Sequence, residues 1–402
     1  MKQGWEIVQL GSLCEIQLGK TPHRKTDQFW DKEKESNNVW LSISDMRHGA
    51  VMHDSKEYVS DLGAEIFKIT PKGTLMLSFK LTLGRVAFAG SDLLTNEAIA
   101  SLINLDNKID QRFLFYYFTF FDWDEATKGD EKVKGKTLNK AKLKKLPIIV
   151  PPLEEQKQIV AKLDQCFEAI DKAKANAAKN LENAKELFQS KLNDIFSQKG
   201  EGWVEKKLGD VCSLIKRGIP PKYIETGGIQ VVNQKCIRNH KVNLTLARRH
   251  NIVLKSVSQE KLIQIGDVLV NSTGVGTLGR VAQVRDSIIS DTTVDTHVTI
   301  VRPIPDLFFI DFFGYVLIKI EDEITKSGEG ASGQTELART KLQNNFIVSY
   351  PTSLEEQKQI VKILDSLKKQ TQSLESKYQQ ELNSLEELKK SILQKAFEGE
   401  LV

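Results

Sequence analysis

The 402-residue sequence is poor in the features that usually announce chemistry. Its four cysteines, Cys14, Cys166, Cys212 and Cys236, lie far apart without C-x-x-C spacing, so neither a zinc site nor a disulfide framework is expected. Cys14 and Cys212 occupy equivalent positions of an internal repeat, where a small buried hydrophobe is the expectation. The six histidines, His23, His48, His53, His240, His250 and His297, make no metal-like cluster. No apolar run approaches the roughly 18 residues of a membrane span, and Met1-Lys2-Gln3-Gly4-Trp5 carries no apolar signal core. A cytoplasmic protein is expected. With 40% hydrophobic and 27% charged residues and a net charge of only +4, composition is that of an ordinary soluble chain of two or three domains. Any surface for nucleic acid must therefore be local.

Catalytic signatures are scarce as well. Gly274-Val275-Gly276-Thr277-Leu278-Gly279 matches the dinucleotide-binding glycine pattern, which works only between a strand and a helix. Asp267-Val268-Leu269-Val270 precedes it, but Arg280-Val281-Ala282-Gln283-Val284 reads as a second strand, so a hairpin turn is expected. Pro305-Asp306 is followed by no Asp/Glu-x-Lys of a nuclease, and Phe308 to Ile310 read as core. The Asn/Asp-Pro-Pro-aromatic tetrapeptide of amino-methyltransferases is missing, and nothing resembles a nucleophile elbow. No metal or catalytic residue is assigned to this chain.

What the sequence does contain is a repeat. Leu153-Glu154-Glu155-Gln156-Lys157-Gln158-Ile159-Val160 returns unchanged at Leu354 to Val361, 201 residues later. Each copy opens a long polar helix, the first predicted over Glu154 to Ser197 and roughly 66 Å long. Its stripe, Ile159, Leu163, Cys166, Ile170, Ala173, Ala177, Asn180, Ala184 and Leu187, advances in steps of four and three, the pattern of a coiled-coil seam. The second stripe is Ile360, Leu364, Leu367, Thr371, Leu374, Tyr378, Glu381, Leu385 and Leu388. Both are interrupted at the same place, by Asn180 and by Glu381. Pairing of the two copies as antiparallel helices within one chain is the economical solution.

The segments before the helices repeat in order but not in detail. Trp203 and Leu208-Gly209 stand 198 residues after Trp5 and Leu10-Gly11, and Pro220 stands 198 after Pro22. Thr82-Leu83-Gly84-Arg85-Val86-Ala87 recurs at Thr277 to Ala282, and Gly135 and Gly333 precede Leu143 and Leu342. Strands are expected at Val39–Ile43, Gly73–Phe79 and Gly84–Phe88, a packed helix at Phe113–Phe121, and a glycine- and lysine-rich loop at Lys128–Lys136. The plan is α+β: residues 1–152 a mixed domain, 153–200 a long helix, 201–352 a second mixed domain and 353–402 a second long helix, with an internal pseudo-twofold repeat.

Basic clusters are the remaining signal. Lys20, His23, Arg24 and Lys25 share one turn of the first domain, with Lys80 and Arg85 farther on. The second domain carries Lys216, Arg217 and Lys222, then Gln234, Lys235 and Arg238, and Asn271, Ser272 and Thr273 after a strand. Lysine and arginine beside asparagine and glutamine suit both phosphate contact and base-edge readout. A charge run is otherwise simply a solvated face, and Arg85 and Arg280 of the shared Leu-Gly-Arg suit a structural role equally.

Taken together, the sequence resembles the specificity subunits of type I restriction-modification systems. Pro-Pro-Leu-Glu-Glu-Gln-Lys-Gln-Ile-Val at Pro151 and its partner after Pro351 carry the resemblance, with the two Trp-x-x-x-x-Leu-Gly openings. Gly266-Asp267-Val268-Leu269-Val270 and Phe397-Glu398-Gly399-Glu400-Leu401 add to it, although Gly266-Asp267 is Gly73-Thr74 in the first domain. The resemblance covers essentially the whole chain. It implies two target-recognition domains, each reading half of a bipartite, asymmetric site in double-stranded DNA, with the paired helices setting the spacing. It also implies docking of two methyltransferase (modification) subunits, for which Leu153, Glu154, Glu155, Gln156, Leu354, Glu355, Glu356 and Gln357 are the candidate residues. S-adenosylmethionine, ATP and magnesium would belong to those and to restriction/translocase subunits in a bacterial or archaeal cytoplasm, with no cofactor in this chain. A coiled-coil scaffold that binds only protein partners is the alternative.

Overall fold

The computed structural model describes residues 2–128, 131–132, 135–136, 138–285, 291–328 and 336–402. Gly333 and positions 129–130 and 133–134 of the glycine- and lysine-rich loop lie outside them. The chain packs as two units, one of residues 1–178 with 380–402, the other of residues 179–379. The division falls inside the long helices, Leu153–Ser197 and Leu354–Glu398, next to the polar interruptions at Asn180 and Glu381.

In the first unit a five-stranded sheet has the order Glu15–Leu18, Ile99–Ile103, Leu75–Ser78, Val86–Ala89, Val51–Met52. Its strands are antiparallel except the last pair. A second sheet runs Trp30–Asp31, Glu57–Val59, Val39–Leu41, Leu94–Thr95, the last pair again parallel. Leu75–Ser78 is buried along its whole length because both its faces are covered. Successive side chains of a strand point to opposite faces, so Leu75 and Leu77 join the core under helix Gln111–Phe120, whereas Met76 packs with Val39, Leu41 and Ile99 toward the second sheet.

The second unit repeats this topology except for the fifth strand of the first sheet, Val51–Met52, which has no counterpart in its four-stranded sheet. One sheet runs Cys212–Arg217, Val298–Pro303, Val268–Asn271, Val281–Gln283, and the other Tyr223–Ile224, Arg248–His250, Ile229–Val232, Thr292–Val294. Here Val268 and Val270 face the core under helix Phe312–Lys319, and Leu269 faces the other layer. The six-residue stretch 274–279 is indeed the turn of an antiparallel hairpin. A two-stranded ribbon closes each unit, Glu6–Gln9 with Pro147–Val150 and Trp203–Lys207 with Ile347–Pro351. The repeated Leu-Gly sits just after the first strand of each ribbon. Leu10 and Leu208 are fully buried, and a Cβ on Gly11 or Gly209 would stand 2.9 Å from Lys144 Cβ or 2.8 Å from the Gln343 carbonyl oxygen.

The long helices start where their sequence dictates. Each has two glutamates in its first turn, which favours the positive end of the helix dipole. In the first unit their parts run antiparallel, joined by ion pairs of Lys174 with Glu386 and of Lys389 with Asp171. Ile159, Leu163 and Ile170 are buried there, as the seam predicts, and in the second unit Ile360 and Leu364 are. The far end of the seam departs from expectation. Leu187 and Leu388 are about half exposed, at 48% and 46%. Burial has passed to Leu192 and Phe196 in one helix and to Leu393, Ala396 and Phe397 in the other, because each helix end turns its apolar face onto a globular core, where Phe397 meets Phe113, Tyr117 and Phe120 and Phe196 meets Phe312.

Candidate nucleic-acid interface

Antiparallel pairing places the end of one strand beside the start of its neighbour, and this collects the candidate loops along one edge of each unit. In the first unit Leu18 pairs with Ala100, Ser78 with Ile99 and Leu77 with Val86. The turn after Leu18, the Thr95–Ala98 loop and the 79–85 hairpin therefore share that edge. Backbone bonds bind them together: Lys20 N–H donates to Thr95 O at 2.8 Å, and Phe79 N–H to Ala98 O at 3.1 Å. The second unit builds the same edge from the turn after Arg217, the Val294–Val298 loop, the 272–280 hairpin and the loop after Val232. Glycine is required where the first turn crosses the loop: a Cβ on Gly19 would lie 1.9 Å from Thr95 O, and one on Gly218 1.9 Å from Val294 O.

The predicted residues differ in what their side chains are free to do. Lys20, His23 and Lys25 are exposed, and the His23 imidazole Nδ1 lies 3.0 Å from Thr26 Oγ1. Arg24 is held in place by Glu57 and by the faces of Trp30 and Trp40, 4.3 and 4.8 Å from their ring centroids. Lys80 lies over Phe79 at the hairpin's start. In the second unit Lys222, Lys235 and Arg238 are exposed. Lys216 pairs with Glu260 at 2.7 Å, and Arg217 pairs with Glu336 and donates to Leu337 O at 2.7 Å. Gln234 stands at the hairpin, where its Oε1 accepts from Thr277 Oγ1 at 3.1 Å. Thr273 Oγ1 lies 2.6 Å from His297 Nδ1.

Three candidates do not belong to a contact surface. Arg85 donates through Nη1 to the carbonyls of Ile43, at 3.1 Å, and Met46, at 3.4 Å, so it braces the hairpin from inside. Ser272 is fully buried, bonded to Thr299 through its hydroxyl and to His297 and Leu337 through its backbone. Asn271 is buried too, its Nδ2 donating to Gln234 O at 3.2 Å while Oδ1 has no partner. Arg238 lies on the ribbon Ile237–Arg238 with Lys241–Val242, whose second strand lines a cleft with Arg285, Asp365 and Lys368.

Sequence reasoning missed several residues of this edge. A depression of about 450 Å³ in the second unit is lined by Lys261 and Arg339 as well as Lys216, Arg217 and Glu336. Lys261 and Arg339 are scattered in sequence and converge only in the fold. Asp295, beside His297, is buried, and burial pushes its carboxyl above the usual carboxylate range.

The repeated helix openings divide into two groups. Gln156 and Gln357 are fully buried, and their amides are used inside the chain. Gln156 Nε2 donates to Pro151 O at 2.7 Å and to Lys108 O at 2.9 Å, and its Oε1 accepts from Asp110 N–H at 2.8 Å. Gln357 makes the same three bonds to Pro351 O, Leu307 O and Phe309 N–H. These two glutamines lock helix to globular part and cannot meet a partner. Glu155 pairs with Lys2 at 2.7 Å, and Glu356 accepts from Trp203 Nε1 at 2.8 Å. Leu153 is half-buried, whereas Leu354, Glu154, Glu355, Lys157, Lys358, Gln158 and Gln359 are exposed.

Two mixed α+β units of one topology, each ending in a long helix and each with a polar loop edge, define a class of duplicated DNA-specificity protein. The family model described as type I restriction modification DNA specificity domain matches residues 2–180 and 200–384, and the chain belongs to that family, as a type I restriction-modification specificity subunit. The type I restriction enzyme MjaIX specificity subunit of Methanocaldococcus jannaschii is 25% identical over 261 residues, a match spanning 58% of this chain and 57% of the relative. The EcoBI specificity subunit of Escherichia coli is 23% identical, across 99% of this chain and 86% of its own length. Two solved structures share the fold. A chain from a study of assembly and conformational transition of the type I R-M system aligns over 100% of this chain and 99% of its own, with TM-score 0.79 and 22% identity. The HsdS subunit of Thermoanaerobacter tengcongensis aligns over 100% and 98%, with TM-score 0.60 and 21% identity.

Proposed function

We propose that each unit reads one half of a bipartite, asymmetric site in double-stranded DNA through its loop edge. The observation that carries this is the contrast between the two edges: the same strands and glycines position them, yet the side chains they present are different. A shared frame with unlike surfaces suits two readers of unlike half-sites. Exposed Lys20 and Lys25 in one unit, and Lys222 and Lys235 in the other, supply phosphate contacts, while Gln234 and Thr273 are placed for hydrogen bonding to base edges. The long helices, through which the chain connects its units, set the spacing between half-sites. Their exposed repeated residues, Glu154, Lys157 and Gln158 with Glu355, Lys358 and Gln359, present the same surface twice and dock two methyltransferase subunits. Those subunits carry S-adenosylmethionine, a restriction/translocase subunit uses ATP and magnesium, and this chain supplies recognition without catalysis in the cytoplasm. Among the described residues no helix is long and apolar enough to cross a membrane.

Charge reversal tests the reading. Lys20→Glu with Lys25→Glu, or Lys222→Glu with Lys235→Glu, is expected to weaken DNA binding on the order of tenfold or more and to lower the slope of log affinity against log salt by about one for each phosphate that is no longer neutralised. Binding measured by fluorescence anisotropy at several salt concentrations checks this. Unchanged affinity and slope in both double variants would instead favour a scaffold that meets only protein.

A further inference from the structure

Each loop edge carries an exposed aliphatic side chain at the turn of its central hairpin. In the first unit the hairpin between Leu75–Ser78 and Val86–Ala89 carries Leu81 at its turn, 60% exposed and with a φ of +64°. A left-handed backbone at an exposed, bulky aliphatic residue is uncommon, and such a conformation persists only where its surroundings impose it. Here they do. Ser78, fully buried, donates from Oγ to Thr82 O at 2.6 Å and accepts from Arg85 N–H at 2.9 Å, and Gly84 N–H donates to Ser78 O at 3.0 Å. Arg85 then anchors the hairpin to the loop after Leu41.

The second unit reaches the same outcome with a turn two residues longer ahead of the shared Thr-Leu-Gly-Arg. Its hairpin carries Val275, 72% exposed, between Gly274 at φ +106° and Gly276 at φ +70°. Arg280 Nη2 donates to Gly276 O at 2.7 Å, Leu278 N–H to Gly274 O at 2.9 Å, and Thr277 Oγ1 to Gln234 Oε1 at 3.1 Å. Two hairpin turns that share Thr-Leu-Gly-Arg thus each hold one aliphatic side chain out in solvent, Leu81 directly before that stretch and Val275 two residues before it, braced from behind. Around them stand Lys80 in one unit and Thr273, Gln234 and the Arg217–Glu336 pair in the other. One exposed apolar side chain among polar neighbours is too small for a protein interface and matches a duplex, charged outside and apolar between its bases.

We infer that Leu81 and Val275 are wedges, each entering one base step of its half-site and unstacking it; this rests on the DNA reading proposed above. The bracing supports insertion over a contact in the groove, since parting stacked bases needs a tip that does not yield, whereas touching a thymine methyl does not. A base that is to be modified has to leave the stack, so a wedge in each half-site lowers what the methyltransferase subunits must overcome.

The test uses the full chain in complex with its methyltransferase subunits and duplexes that carry the methylated motif, with 2-aminopurine at successive positions of each half-site. Fluorescence is expected to rise at one step per half-site. Leu81→Asn, in which asparagine keeps the left-handed turn, removes the rise in one half-site only, and Val275→Ser removes it in the other only. Each variant weakens binding about tenfold, and an abasic gap at the affected step restores it. Fluorescence that the variants leave unchanged, or an affinity loss reproduced by replacing thymine with uracil in an intact stack, overturns the wedge while leaving DNA reading in place. Wild-type complex that does not distinguish the motif from a scrambled duplex overturns both.

Discussion

At the scale of the residue, identity between the repeats has two physical sources. Gln156 and Gln357 are the same because each satisfies one backbone N–H and two carbonyls at a buried junction, a task that glutamine's amide does and a charged or apolar side chain does not. Gln357→Leu is expected to destabilise the second unit by about 2–4 kcal/mol, since it strands those groups away from water. Urea unfolding followed by fluorescence measures this, and Lys358→Ala on the exposed neighbour should leave the midpoint nearly unchanged. Sequence reading assigns the whole opening to partner contact because burial is invisible in a polar residue without its neighbours. The same blindness places Arg85, Asn271 and Ser272 on the DNA surface. The exposure of Lys20, Lys25, Lys222 and Lys235 is legible because basic residues gathered in a turn have few ways to be buried.

At the scale of the element, each helix is fastened to its globular part by a tyrosine and an aspartate. Tyr116 donates to Asp164 and Tyr315 to Asp365, and each aspartate also takes an arginine, Arg112 at 2.6 Å in the first unit and Arg285 at 2.7 Å in the second. The tyrosines and aspartates are equivalent in the repeat; the arginines come from different elements, a helix and a strand end. Lys368 lies beside this second cluster, and burial, with the Arg285 charge adding to it, pushes its ammonium down from 10.5 to about 8. Between those values the unfolded chain holds a proton that the folded one has released, so stability rises with pH across that window, and below it the full penalty applies. Lys368→Met is therefore expected to raise the thermal midpoint of the second unit at pH 7 and to remove the rise above pH 8, which calorimetry at a series of pH values checks. The long helices are legible from seam periodicity up to the middle of each. Their far ends are not, because Leu187 and Leu388 fit the heptad while Leu192, Phe196, Leu393 and Phe397 answer to a globular core.

At the scale of the molecule, the repeat organises everything: one topology twice, two loop edges, and two helices shared between both units. The order of the elements and the α+β class are readable from landmarks such as Trp5 and Trp203 or Leu10-Gly11 and Leu208-Gly209. The sheet orders are not, since strand pairing is non-local and the domains have diverged outside those landmarks. Modularity makes a prediction of its own. A heptad inserted after Ala178 together with one after Gln379 adds about 10 Å of helix. It should lengthen the spacer by on the order of three base pairs, with both half-sites unchanged, as read from the methylated motif.

The central claim is that this chain selects the DNA sequence for partner subunits that modify it. The direct measurement is the adenine methylation pattern of DNA from cells expressing the chain with its neighbouring methyltransferase subunit, set against the methyltransferase alone. The account predicts a split, asymmetric motif that appears only when the chain is present, and a change in one half of that motif when residues 201–352 are replaced by those of another specificity subunit. Subunits that co-purify without any motif, or a motif that persists without the chain, would contradict it.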